Sequence, residues 1–150
     1  GPFTVDPFSI SHDAVDPVGF MISVAGRKIG IATDLGHTGK MVPLKLRDCH
    51  LLFVEANHCP RMLRDSKRPL HLKHRILGRR GHLSNELGAE LISQTAGPTT
   101  RHLFVGHVSD ECNDHDLVRT YVEKSLAGIN RHDLEFEIAL QHKVSRTVVV

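Results

Sequence analysis

The sequence has no apolar run approaching the roughly 20 residues a membrane helix needs. That excludes a spanning helix. Its cysteines are few and odd in number: Cys49, Cys59 and Cys112 show no CxxC spacing, a pattern that suits a reducing compartment and not a disulfide framework. Charge of one sign is scarce as well, with 19 Lys+Arg against 17 Asp+Glu and a formal net charge of +2. Internal repeats and linkers are missing. Gly1 to Ile10 alternates like a strand, so the expectation is that no signal or transit peptide opens the chain. These absences predict one unit over residues 1–150, located in the cytoplasm, with no membrane partner.

What is present is a core and many histidines. Hydrophobic residues make up 40% of the 150 positions, enough for one domain to bury an interior. Twelve histidines exceed what a core requires, and histidine is both the commonest metal ligand and the usual acid/base group near neutral pH. Several of them (His71, His74, His132, His142) lie in charged stretches that read as exposed.

Ile29 to Gly39, IGIATDLGHTG, organises the remainder. Ile29, Ile31 and Ala32 make a short buried strand, which stops at Thr33-Asp34 before Gly36 and Gly39. Asp34 thus sits at a strand's end, either as a turn aspartate or as a site carboxylate carried on a loop and positioned by a rigid element. Other residues follow the same rule. Phe3 to Ser11 alternates around Pro7, as an edge strand would, and His12 follows it. Gly19–Val24 and Arg27–Thr33 flank Ala25-Gly26, a two-residue hairpin signal. Thr38 to Asp48 suits a short helix, and Leu51 to Glu55 a buried strand running into Asn57 and His58. His107 closes the strand His102–Gly106.

Helical spacing appears in Glu86–Thr95, with Ser84 or Asn85 as N-cap and Gly97-Pro98 as stop, and in Asn113–Leu126. Leu134 to Leu140 reads as a strand and Thr147–Val150 as a β-branched tail. Between Arg61 and Arg80 lie eight basic residues against one acid, Asp65. A solvated helix face is the plain reading, and a basic loop attracting phosphates is the functional one. His82 precedes the helix that Ser84 or Asn85 would cap, where free backbone N–H groups favour an anion.

His12, Asp34, His82 and His107 therefore each end a strand or precede a helix, and a sheet whose strand ends converge would gather them. Neutral imidazoles with a carboxylate are a sound ligand set for zinc or manganese.

The ordered series SHDAVDPVGF (Ser11–Phe20), ATDLG (Ala32–Gly36), FVEANH (Phe53–His58), GHLSNE (Gly81–Glu86) and GHVS (Gly106–Ser109) resembles the C-terminal half of metallo-β-lactamase-fold hydrolases. Within that family it looks like the YycJ-type branch, and it resembles ribonuclease Z more distantly. The resemblance implies an α/β fold, a four-layer αββα sandwich of two similar halves, of which this chain would supply the C-terminal one. It implies His12, Asp34 and His107 as metal ligands, with Asp34 bridging two divalent ions (Zn or Mn), and His82, followed by Ser84, as proton donor. Asn57, His58, Ser84, Arg79 and Arg80 are the candidate substrate contacts.

Two departures stand out. The His-x-His-x-Asp-His signature of the family's N-terminal half is absent from these residues, and Cys59 replaces an expected aspartate. The expectation is a fragment of a longer enzyme whose open sheet face pairs with the N-terminal half or with another chain, and which is inactive alone. The complete protein is expected to be a metal-dependent phosphodiesterase or nuclease acting through a shared hydroxide. The alternatives are a non-catalytic nucleic-acid-binding or scaffolding fragment, or a hydrolase of lactones or thioesters.

Overall fold

Alternation and turn chemistry dictate the first three elements. All 150 residues are described by a computed structural model, in which β1 (Thr4–Ser9), β2 (Val18–Val24) and β3 (Arg27–Ala32) form an antiparallel meander. The turn between β2 and β3 places Ala25 at φ 47 and Gly26 at φ 78. Two left-handed residues in a two-residue loop match the twist of the flanking strands, hence the alanine-glycine pair. Pro7 sits in β1, at the edge of the sheet, where a missing N–H breaks no ladder on the outer side.

From β3 onward the sheet is parallel. The strands β4 (Leu51–Glu55), β5 (His102–Gly106) and β6 (Phe136–Ile138) add in sequence, so the order is β1-β2-β3-β4-β5-β6. Parallel neighbours need crossovers. These carry α1 (Met41–Leu46), α2 (Pro60–Asp65), α3 (Leu70–Leu77), α4 (Asn85–Thr95) and α5 (His115–Gly128). Because β1, β3, β4 and β5 run in one direction, their C-terminal ends share one rim, the usual location of sites in α/β sheets.

One face of the sheet is covered. Ala32, Leu52, Val54, Leu103, Val105 and Ile138 pack there against Val42 and Leu46 of α1, Leu91 and Ile92 of α4, and Val118, Val122 and Leu126 of α5. On the opposite face, Phe20, Ile31, Phe53 and Phe104 stand in register as one row, and Ile22, Ile29 and Leu51 as the next. Phe20 is 38% exposed and only Phe104 is buried, so no helix of this chain covers these rows.

Several boundaries differ from the sequence reading. The helix expected over residues 38–48 is confined to Met41–Leu46. The strand expected over 134–140 shrinks to Phe136–Ile138, since β6 lies at the sheet's edge and has only β5 to pair with. Thr147–Val150 joins no strand. The basic stretch is two helices, split where Pro69 cannot continue a helix from α2. Ser84 is the N-cap of α4, its Oγ accepting the Leu87 N–H at 3.3 Å.

Candidate metal centre and active site

The rim gathers the four groups that the strand ends promised. His12 follows β1, Asp34 follows β3, His107 follows β5, and His82 approaches α4 from the loop after α3. Asp34 Oδ1 lies 3.6 Å from His12 Nε2, 3.8 Å from His82 Nδ1 and 3.7 Å from His107 Nδ1. The His82 ring is 4.9 Å, centroid to centroid, from both the His12 and the His107 rings.

Both flanking groups are held in uncommon backbone. Asp34 has φ 60 and His107 φ 54, a region in which aspartate and histidine are better tolerated than most residues. Their surroundings impose it. Gly36 N–H donates to Ser11 O at 2.7 Å, and a side chain at Gly36 would collide with the Arg79 backbone. The Asn57 amide donates to His107 O at 2.8 Å, while Ser109 N–H donates to Asn57 O at 2.9 Å.

A fifth residue, which the sequence reading did not single out, lies beneath the cluster. Glu55 ends β4 fully buried. Its Oε1 accepts the N–H groups of Leu35 (2.8 Å) and Leu83 (2.9 Å), and its Oε2 accepts the Asp34 N–H (3.0 Å) and His107 Nδ1 (2.9 Å). His82 Nδ1 lies 3.4 Å from the same Oε2. Burial by itself would raise the Glu55 carboxyl, but the contacts with His107 and His82 and the Leu83 N–H outweigh it and hold the group down at about 2. Reciprocally, Glu55 raises His107 against the opposing effect of burial. The only hint in sequence was an acid closing the apolar run LLFVE.

No family model matches the chain. It is 33% identical over 127 residues to exodeoxyribonuclease WalJ of Streptococcus pneumoniae, covering 85% of this chain and 47% of the relative. Exodeoxyribonuclease YycJ of Bacillus anthracis is 30% identical over 126 residues, covering 84% and 48%. The chain spans about half the length of the curated relatives it matches. Among solved structures, the metallo-β-lactamase fold protein YhfI of Bacillus subtilis superposes with a TM-score of 0.64 at 16% identity, over 93% of this chain and 47% of that one. The chain is a metallo-β-lactamase-fold protein related to WalJ- and YycJ-type exonucleases.

In this metallo-β-lactamase-fold chain two overlapping trios can offer metal-binding atoms within 4.8 Å of one another: His12, Asp34 and His82, and Glu55, His82 and His107. The hydrogen bonds distinguish their members. His107 Nδ1 is engaged by Glu55, so that ring keeps Nε2 free with its tautomer fixed from behind, as metal-binding imidazoles usually are. His12 Nδ1 is 3.0 Å from Gly81 O, and its Nε2 faces the carboxylates of Asp13 at 3.3 Å and Asp34 at 3.6 Å. Glu55 is saturated by its donors and serves as the support of the cluster. The donor set thus fits divalent ions, with Asp34 the carboxylate that remains open to them.

The expected substrate contacts separate into two groups. Asn57, His58 and Ser84 are buried; Asn57 holds His107, Ser84 caps α4, and His58 O accepts the Asn85 N–H at 3.0 Å. They build the frame. Burial first, and His82 second, lower the His58 imidazole to about 4. Arg79 and Arg80 are exposed beside the His12 loop, Arg79 O accepting Ser11 Oγ–H (2.8 Å) and Arg80 Nε donating to His12 O (3.2 Å). The cleft of about 950 Å³ that opens from Asp34, His82 and His107 is lined by two other basic residues, Arg68 and Arg75. No helix is long and apolar enough to cross a membrane.

Proposed function

We propose that this chain is the C-terminal part of a metal-dependent phosphodiesterase of the nuclease type, with a nucleic-acid strand as substrate. The observation that carries this reading is the rim cluster, in which Asp34 lies between the imidazoles of His12, His82 and His107, and His107 keeps its Nε2 free. The relatives named exodeoxyribonuclease and the basic run over Arg61–Arg80 support the substrate class.

His12, Asp34 and His107 would hold two divalent ions, zinc or manganese, together with ligands from outside this span. When bound, such ions polarise a phosphoryl oxygen and make water a competent nucleophile at neutral pH. This chain's residues do the rest. Glu55 fixes the ring of His107 and the backbone of Asp34, so the carboxylate and imidazole are placed before substrate arrives. His82, 3.4 Å from Glu55 Oε2, is oriented by a carboxylate of its own chain and delivers the proton to the leaving oxygen.

The sheet face bearing Phe20, Ile31 and Phe53, which no helix of this chain covers, takes the N-terminal half of the same sandwich as partner. The deciding experiment uses the complete protein, stripped of metal and then titrated with Zn or Mn, against a labelled DNA strand and a nitrophenyl phosphodiester. Hydrolysis of both that appears with metal and is lost in His107→Ala supports the reading. Metal-independent strand binding without hydrolysis would make the protein a binding module instead.

A further inference from the structure

The cleft beside the rim cluster is bounded by α3 and by Arg68 of the segment joining α2 to it, and α3 is unusual in burying none of its residues despite carrying Leu70, Leu72, Ile76 and Leu77. Leu72 and Ile76 face the cleft, together with Arg68 and Arg75. Lys73 Nζ donates to Arg64 O (2.6 Å) and Ser66 O (2.7 Å), which ties α2 and α3 into one unit. Two ion pairs fasten that unit to the rim. Arg75 grips Asp13 with Nε and Nη2, and Arg68 Nε lies 3.0 Å from Glu111 Oε2. Asp13 follows His12 in the chain, and Glu111 sits on the loop that carries His107.

We infer that Arg68–Glu111 and Arg75–Asp13 are exchangeable latches, and that the α2–α3 unit is a clamp whose arginines leave these carboxylates for phosphates of a single nucleic-acid strand entering the cleft. This rests on the proposed function and names how the strand is held.

Three features favour it. The partly exposed Arg68–Glu111 pair is of the weak kind, worth no more than roughly a five-fold change in an equilibrium, so exchange there is easy. Guanidinium groups match phosphate oxygens as well as carboxylates, two bonds at a time. The apolar side chains of Leu72 and Ile76 would otherwise face water, and offer the flat faces of bases an apolar surface next to the charges. A ligand-sized cleft of this volume suits one strand entering end-on, not the flank of a duplex.

The test measures anisotropy of a short fluorescein-labelled single-stranded oligodeoxynucleotide with the complete protein in excess chelator, so that nothing is cut. Glu111→Gln should tighten binding about 2- to 5-fold, and Arg68→Ala should weaken it by a similar factor. In the Arg68→Ala background, Glu111→Gln should have no effect, the signature of coupled groups in a double-mutant cycle. Equal tightening in both backgrounds would mean that Glu111 only repels the strand, and would overturn the latch, as would no tightening in either. An equal gain for a duplex of the same sequence would overturn the single-strand assignment. Because the readout is binding without metal, it stands apart from the phosphodiesterase reading: hydrolysis can fail while the cycle succeeds, and the reverse.

Discussion

Glu55 Oε2 accepts the backbone N–H of Asp34 at 3.0 Å, so a buried carboxylate orients an exposed one. The same oxygen holds His107, which makes the end of β4 the support for residues from the ends of β3 and β5. Glu55→Gln keeps the shape but turns an N–H₂ toward donors, leaving at least one buried N–H unpaired. It should destabilise the protein by about 2–4 kcal/mol in urea unfolding. A change below about 0.5 kcal/mol would show that the carboxylate is not the support assigned to it.

That carboxylate also gives a pH dependence. The Glu55 group is held at about 2 in the fold against an ordinary 4.5. A depressed acid contributes stability that is complete above 4.5 and is lost as pH falls toward 2. In the metal-free protein the loss across that window should be about 3 kcal/mol, and should be missing in Glu55→Gln.

His58 gives a second, separate window. The imidazole is buried, its Nδ1 has no hydrogen-bond partner, and it is lowered to about 4 from 6.5. The unfolded chain takes up its proton below 6.5 while the folded one does not, so stability falls from pH 6.5 to about 4 and then levels off. The expected loss is about 3 kcal/mol. NMR titration of the ring in the intact protein should find it neutral at pH 5; a protonated ring there would contradict the assignment.

His82 is predicted to move a proton and not to hold metal. In the complete protein, His82→Ala should leave metal content intact and reduce kcat on a DNA strand by roughly 10² to 10⁴. A nitrophenyl phosphodiester, whose leaving group hardly needs the proton, should lose much less. His12→Ala and His107→Ala should instead lower metal occupancy and slow both substrates together. Loss of metal from His82→Ala would reassign the residue to ligation.

The two arginine groups should also part company. Arg79→Ala with Arg80→Ala should raise KM for polynucleotides more than for the small diester, because both side chains lie outside the cleft beside the His12 loop. Equal effects on the two substrates would make this stretch a solvated surface.

Much of the rim was legible in sequence because strand ends are marked by a change of residue type. His12, Asp34 and His107 each follow an apolar or alternating run, and periodicity plus punctuation located them. Glu55 was not legible as a support, since an acid that closes an apolar strand looks the same whether it meets water or four hydrogen bonds. The burial of Asn57, His58 and Ser84 was hidden for related reasons: polarity suggested contact with substrate, whereas Asn57 holds the backbone of His107, distant in sequence, His58 is enclosed with no partner for its Nδ1, and Ser84 caps α4. The edge position of β6 and the Pro69 break depended on pairing and on tertiary packing, which shortened or split what composition left continuous.

The left-handed backbone at Asp34 and His107 has an evolutionary consequence. At these φ values glycine relieves strain of about 1–2 kcal/mol that most side chains would carry, although it also loosens the unfolded chain. A laboratory selection for thermal stability alone would therefore tolerate, or even enrich, Asp34→Gly, which deletes a central carboxylate from the rim, whereas His107→Gly would also take from the buried Glu55 its imidazole partner and lose stability by that. Stability and activity pull in opposite directions at Asp34, so a library screened by heat and then by hydrolysis should recover the native aspartate only in the second step.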